Sequence, residues 1–138
     1  MLMRSIVRTV LAGLFAGMGL LAPPAVAQAR GLAMLDQLEA GQWELRERDD
    51  DGGETRICIG NGRQLVQVRH LRQACRSVVV EDKPNTISVH YTCPGSGYGL
   101  TRIRLESTRL VQIDTRGIAQ GLPFEFSAEA RRVGDCGR

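Results

Sequence analysis

Apolar residues recur at two different periods along this chain, and each change of period marks an element. Within Gly31–Ala40, a stretch of good helix formers, Leu32, Leu35 and Leu38 fall at every third place and Gly41 follows where a helix C-cap belongs. One short helix is expected there. The period then drops to two. Trp43 and Leu45 alternate with charged residues over 42–48, the signature of a half-buried strand. The run Asp49-Asp50-Asp51-Gly52-Gly53 reads as a turn. A second strand, 54–59, completes a hairpin with Ile57 and Ile59 on one face. Asn61 followed three residues later by Gln64 has the form of a capping box. Leu65, Val68 and Leu71 continue at helical spacing, so a short helix or helical turn is expected from Gly62 to about His70.

From Cys75 the chain reads as an antiparallel meander. Ser77–Glu81 carries Val78-Val79-Val80, and Asp82-Lys83-Pro84-Asn85 is turn chemistry. Thr86–Cys93 alternates, with Ile87, Val89, Tyr91 and Cys93 on one face and Ser88, His90 and Thr92 on the other. Pro94–Gly97 makes the next turn. Tyr98–Ser107 runs through Leu100, Ile103 and Leu105, and Leu110–Arg116 forms another strand. Gly117–Gly121 connects it to Phe124–Ala130, whose two phenylalanines share one side. Strands at this spacing, joined by Gly and Pro turns, predict a mainly β fold. The expectation is a meander of about six to eight strands curved into a barrel or half-barrel, with one or two short helices and two disulfides.

The N-terminus changes the picture of where this domain works. Arg4 and Arg8 precede an uncharged apolar run from Val10 to Ala22, then Pro23-Pro24 and the small-residue triplet Ala25-Val26-Ala27. That is the order of a secretory signal peptide. The run has 13 residues, short of the roughly 20 that span a bilayer as a helix. Cleavage after Ala27 is expected, leaving residues 28–138 as a single domain, exported to the periplasm or secreted, with no stable membrane span. Arg4 and Arg8 leave with the leader, so the net charge falls from +3 to about +1. A chain so nearly neutral lacks the basic excess that nucleic acid selects for.

Cys58, Cys75, Cys93 and Cys136 all lie beyond the leader. An even count in a small exported chain predicts two disulfides. Of the three possible pairings we favour Cys58–Cys75, which brackets one segment, and Cys93–Cys136, which ties the C-terminal end to the middle of the sheet. The spacings of 17, 18 and 43 contain no C-x-x-C pair. Zinc knuckles and thiol redox sites both call for ligands closer together than that.

Candidate chemistry is sparse. There is no G-x-S-x-G elbow, and the two histidines, His70 and His90, carry no recognisable triad. The three adjacent aspartates lack the spaced ligands and distant Glu of an EF-hand. Glu44, Glu106, Glu125 and Glu129 are interspersed with arginines, which cross-strand ion pairs explain. Neither a catalytic residue, a metal site nor a cofactor is assigned. Trp43, the sole tryptophan, is a candidate wall of a ligand cavity inside a curved sheet as well as a candidate core residue. With His90, Tyr91, Ser96 and Tyr98 it makes up the candidate binding set.

Several of these segments occur in an order that resembles a known family. Gly41-Gln42-Trp43-Glu44 opens the first strand, Cys58 and Cys75 follow, and then come Val89-His90-Tyr91-Thr92-Cys93-Pro94-Gly95, Thr108-Arg109-Leu110 and Gly134-Asp135-Cys136. This order, over most of residues 38–136, is similar to the domain-of-unknown-function family 3617, small exported proteins of proteobacteria. The resemblance implies a periplasmic β-rich domain of a Gram-negative bacterium and carries no activity. A shorter likeness joins Tyr91–Tyr98 to the loop that C-type lysozyme inhibitors present to the lysozyme cleft, although no lysine follows the loop here. Two functional expectations result. One is a non-enzymatic module that binds a small apolar ligand or a periplasmic protein. The other is an enzyme inhibitor acting through the loop Pro94–Gly99.

Overall fold

The alternating segments form seven strands in a computed structural model that describes residues 31–48 and 52–137. The leader and the aspartate run Asp49–Asp51 lie outside the described residues. The strands are β1 (Gly41–Glu47), β2 (Glu54–Ile59), β3 (Arg76–Asp82), β4 (Thr86–Cys93), β5 (Gly97–Ser107), β6 (Leu110–Ala119) and β7 (Leu122–Gly134). All pair antiparallel in one sheet of order β2-β1-β7-β6-β5-β4-β3. The meander expected from β3 onward is present, and the β1–β2 hairpin adds to its far side through β7. The sheet is not closed into a barrel, because β2 and β3 are its two edges and do not pair.

Alternation sorts the side chains onto two faces. Across β4 to β7, Ile87, Ile103, Ile113 and Ala128 lie in one cross-strand row, all fully buried. The neighbouring row, Ser88, Arg102, Asp114 and Ser127, faces outward. Leu100 breaks the expected pattern. It stands three residues from Ile103, so strand geometry puts it on the outer face, opposite His90 and Arg116.

The connection from β2 to β3 must run from one edge of the sheet to the other. It does so as a 3-10 helix, Gly62–His70, packed on the apolar face through the buried Leu65 and Val66. Its start is the expected capping box. Asn61 Oδ1 accepts from the Arg63 N–H at 3.0 Å, and Gln64 Oε1 accepts from the Asn61 N–H at 3.3 Å. Its end is tied by the Gln67 amide, which donates to the carbonyls of His70 and Gln73.

The N-terminal helix is shorter than its leucine spacing suggests. Only Ala33–Asp36 is helical, as α1, and Gln37 caps it. Gly41 is not the C-cap but the first residue of β1, with φ 144°. A Cβ there would stand 2.5 Å from the Gly134 carbonyl oxygen, so glycine is needed for β1 to reach β7.

The disulfides are Cys58–Cys136 and Cys75–Cys93, which corrects the pairing favoured from sequence. Strand register is the reason. Cys58 lies opposite Gln42, and Gln42 opposite Gly134, so β1 brings Cys58 to the C-terminal Cys136. Arg76 lies opposite Thr92, so the residues next to them, Cys75 and Cys93, meet across β3 and β4. Two disulfides suit an oxidising, extracytoplasmic setting. Among the described residues no helix is long and apolar enough to cross a membrane.

Candidate binding cleft

Beside edge strand β3 a cleft opens whose apolar walls are mostly buried, Val79 being the one that reaches solvent at 43 % exposure. Four segments meet there. The 3-10 helix supplies Val66, with Arg63 and Gln67 beside it. Strands β3 and β4 supply Ser77, Val79 and Val89, and the segment before α1 supplies Gly31 and Leu32. Together they enclose a cleft of about 340 Å³, at the small end of the roughly 300–1,000 Å³ typical of small-molecule sites. Leu32, Val66, Val79 and Val89 make its walls aliphatic.

Each wall is fixed by a polar contact outside the apolar surface. The Thr101 hydroxyl, buried on β5, donates to the Val66 carbonyl at 2.6 Å and lies 2.8 Å from the Thr115 hydroxyl. This gives the Val66 carbonyl a side-chain donor just before Gln67, where φ −119° and ψ 45° kink the helix. Arg63 pairs with Asp36 and donates to the Gly31 carbonyl, and that pairing holds the Asp36 carboxyl below its ordinary range. Asp82 accepts from the Leu32 N–H at 2.9 Å. Gly62 lets the helix start against α1, since a Cβ there would lie 2.4 Å from the Leu35 carbonyl oxygen. The cleft is thus held open between anchored elements.

The residues singled out from sequence divide into three places, none of them in this cleft. Trp43 is fully buried in the core, and its indole N–H donates to the Glu39 carbonyl at 3.0 Å. Tyr91 is fully buried too, with its hydroxyl 3.0 Å from His70 Nδ1. Burial pushes its phenol up from 10.0 to about 12. Ser96 turns inward. Its hydroxyl donates to Gln73 Oε1 at 3.1 Å, and its carbonyl accepts from the Gln120 N–H and lies 3.2 Å from His70 Nε2. His90 and Tyr98 are brought together on the outer face, their rings 5.9 Å apart, beside Leu100, Arg116 and Phe124. That groove, of about 420 Å³, is walled by aromatic rings, with Leu100 as its one aliphatic side chain.

The two phenylalanines do share a face, as expected, and the Arg69 guanidinium lies over both rings, 5.7 Å from Phe124 and 4.7 Å from Phe126. On the outer face Glu44 pairs with Arg56 across the strands and with Arg46 along its own. The Arg56 hydrogen bond is the main reason its carboxyl sits below the ordinary range. Among the described residues no group of three or more His, Cys, Asp or Glu side chains is placed to hold a metal ion. No family model, no curated protein and no solved structure matches this chain.

The cleft residues were not singled out from the sequence because they come from four separate segments. One signal was available. Val78-Val79-Val80 interrupts strict alternation, and three successive valines in a strand flanked by charge place an apolar side chain on each face at once.

Proposed function

We propose that this chain is a non-catalytic binding module of the periplasm, and that it holds a small apolar molecule in the cleft between the 3-10 helix and β3. The observation that carries the reading is the convergence of Leu32, Val66, Val79 and Val89 around about 340 Å³ between the 3-10 helix and edge strand β3. The ligand class follows from the walls: a short aliphatic or aromatic molecule with at most one polar end, which Ser77 at the mouth could meet. The leader-like N-terminus and the two disulfides support the compartment. The other reading, an inhibitor presenting Pro94–Gly99, keeps Tyr98 as its outward side chain, because the Ser96 hydroxyl is engaged by Gln73.

The test is a fluorescence titration with N-phenyl-1-naphthylamine. Saturable enhancement with the wild-type chain, lost in Ser77→Trp, supports the cleft. Ser77 is exposed and lines the mouth, so the bulky indole fills the cleft without entering the core. A linear, unsaturable response, or binding unchanged in Ser77→Trp, contradicts it.

A further inference from the structure

The two edges of this sheet differ in how they meet solvent. Edge strand β2 is defended. Glu54 and Arg56 stand on it in an ion-pair cluster with Glu44 and Arg46, and Cys58 ties its end to Cys136. Charge on an edge opposes pairing with another chain. Edge strand β3 carries no charge and no proline between Ser77 and Val80. Val78 and Val80 are each 65 % exposed and Val79 is 43 % exposed. Among the described residues no strand pairs with the outer side of β3.

The backbone of that edge is presented for pairing. The Lys83 N–H donates to the Thr86 carbonyl at 2.9 Å, which makes Lys83–Thr86 a hydrogen-bonded pair. Alternation along β4 then gives Ser88, His90 and Thr92 their hydrogen bonds to β3. The β3 residues opposite His90 and Thr92 are Val78 and Arg76, so Ser77 and Val79 point their N–H and C=O groups away from the sheet.

We infer that β3 is a homodimer interface, pairing antiparallel with β3 of a second copy about a two-fold axis at Val79. The charge pattern of the strand selects its own copy. Arg76 stands at one end and Glu81-Asp82 at the other, so an antiparallel two-fold brings Arg76 of each chain to the acidic end of its partner. Glu81 already holds Lys83 at 2.6 Å and Arg102 at 3.7 Å, and Arg76 joins that cluster. At the centre Val79 meets its own copy and exchanges backbone hydrogen bonds with it, while Val78 meets Val80 of the partner on the outer face. A parallel pairing would set like charge on like, which disfavours it. The bulge between Val79 and Glu81 ends the paired stretch after Val80. The inference stands on the strand edge and does not depend on what fills the cleft.

Sedimentation equilibrium without added ligand tests it. The wild-type chain is expected to approach twice the single-chain mass as concentration rises. Val78→Lys/Val80→Lys, which sets ammonium groups against one another across the axis, should raise the dimer dissociation constant at least about tenfold with an unchanged far-ultraviolet spectrum. Should that variant misfold, Val79→Cys supplies a second measurement. Directly opposed residues of a hydrogen-bonded pair have Cα atoms about 5.5 Å apart, within the reach of a disulfide. Oxidation should therefore yield a covalent dimer, and Glu54→Cys on the other edge should not. A single-chain mass at every concentration, a dimer that persists in the double variant, or cross-linking equal at both edges overturns the inference.

Discussion

His70 Nδ1 lies 3.0 Å from the Tyr91 hydroxyl, and both side chains are buried. The other ring nitrogen, Nε2, faces the Ser96 carbonyl, which can only accept. Nε2 therefore donates to that carbonyl, and Nδ1 faces the Tyr91 hydroxyl, which can donate or accept. This pair joins the end of the 3-10 helix to β4 and to the 94–97 turn, so the helix that roofs the cleft is locked to the sheet at its far end.

Alkaline pH should loosen that lock through Tyr91. Burial pushes the phenol from 10.0 to about 12. Below pH 10 it is neutral in both folded and unfolded chains. Between 10 and 12 the unfolded chain loses its proton first, so stability falls as pH rises through that window, by about 2–3 kcal/mol in all. Tyr98→Phe leaves Tyr91 as the sole tyrosine. Phenolate absorbance in that variant should rise near pH 12 while the fold persists, and near 10 in denaturant. An onset near 10 in the folded chain contradicts the burial argument.

Thr101→Val should cost about 1–3 kcal/mol, because it leaves the buried Val66 carbonyl without its donor while preserving side-chain volume. Urea unfolding measures the loss. A change under about 0.5 kcal/mol would mean that the helix is not held to β5 by this bond.

The two disulfides should contribute unequally. Cys58–Cys136 closes a sequence separation of 78 and Cys75–Cys93 one of 18. Loop-closure entropy gives about 4.5 and 3 kcal/mol respectively. Serine replacement of the first pair should lower the urea midpoint more than replacement of the second. The reverse order would show that the shorter loop matters through the native contacts around Tyr91 instead.

Gly99→Ala should be among the most damaging single changes on β5. A Cβ at Gly99 would stand 2.6 Å from the Tyr91 ring, and that ring is boxed in by the core and cannot swing aside. Thermal unfolding should shift down by several degrees. Tyr91→Ala/Gly99→Ala should lose less than the two single changes summed, since the first opens the space the second fills.

Much of the fold was legible because strand alternation is local. Ile87, Val89, Tyr91 and Cys93 fall on one face with no knowledge of their neighbours, and Asn61 with Gln64 announces the 3-10 helix. What was not legible depends on register. Cys58 meets Cys136 only because β1 lies between β2 and β7, an order that no local pattern encodes. The same holds for the cleft. Leu32 reaches it from a left-handed turn, φ 69°, Val66 from the 3-10 helix, and Val79 and Val89 from paired strands. Trp43 and Tyr91, candidate binding residues from the sequence, are large aromatic side chains fully buried in the core.

An apolar ligand held in the cleft will show itself residue by residue in the amide chemical shifts. Titrating N-phenyl-1-naphthylamine into labelled protein should move the amides of Leu32, Val66, Ser77, Val79 and Val89 together along one saturable curve, leaving those of His90 and Tyr98 in place. Shifts centred on His90 and Tyr98, or none that saturate, would contradict the claim.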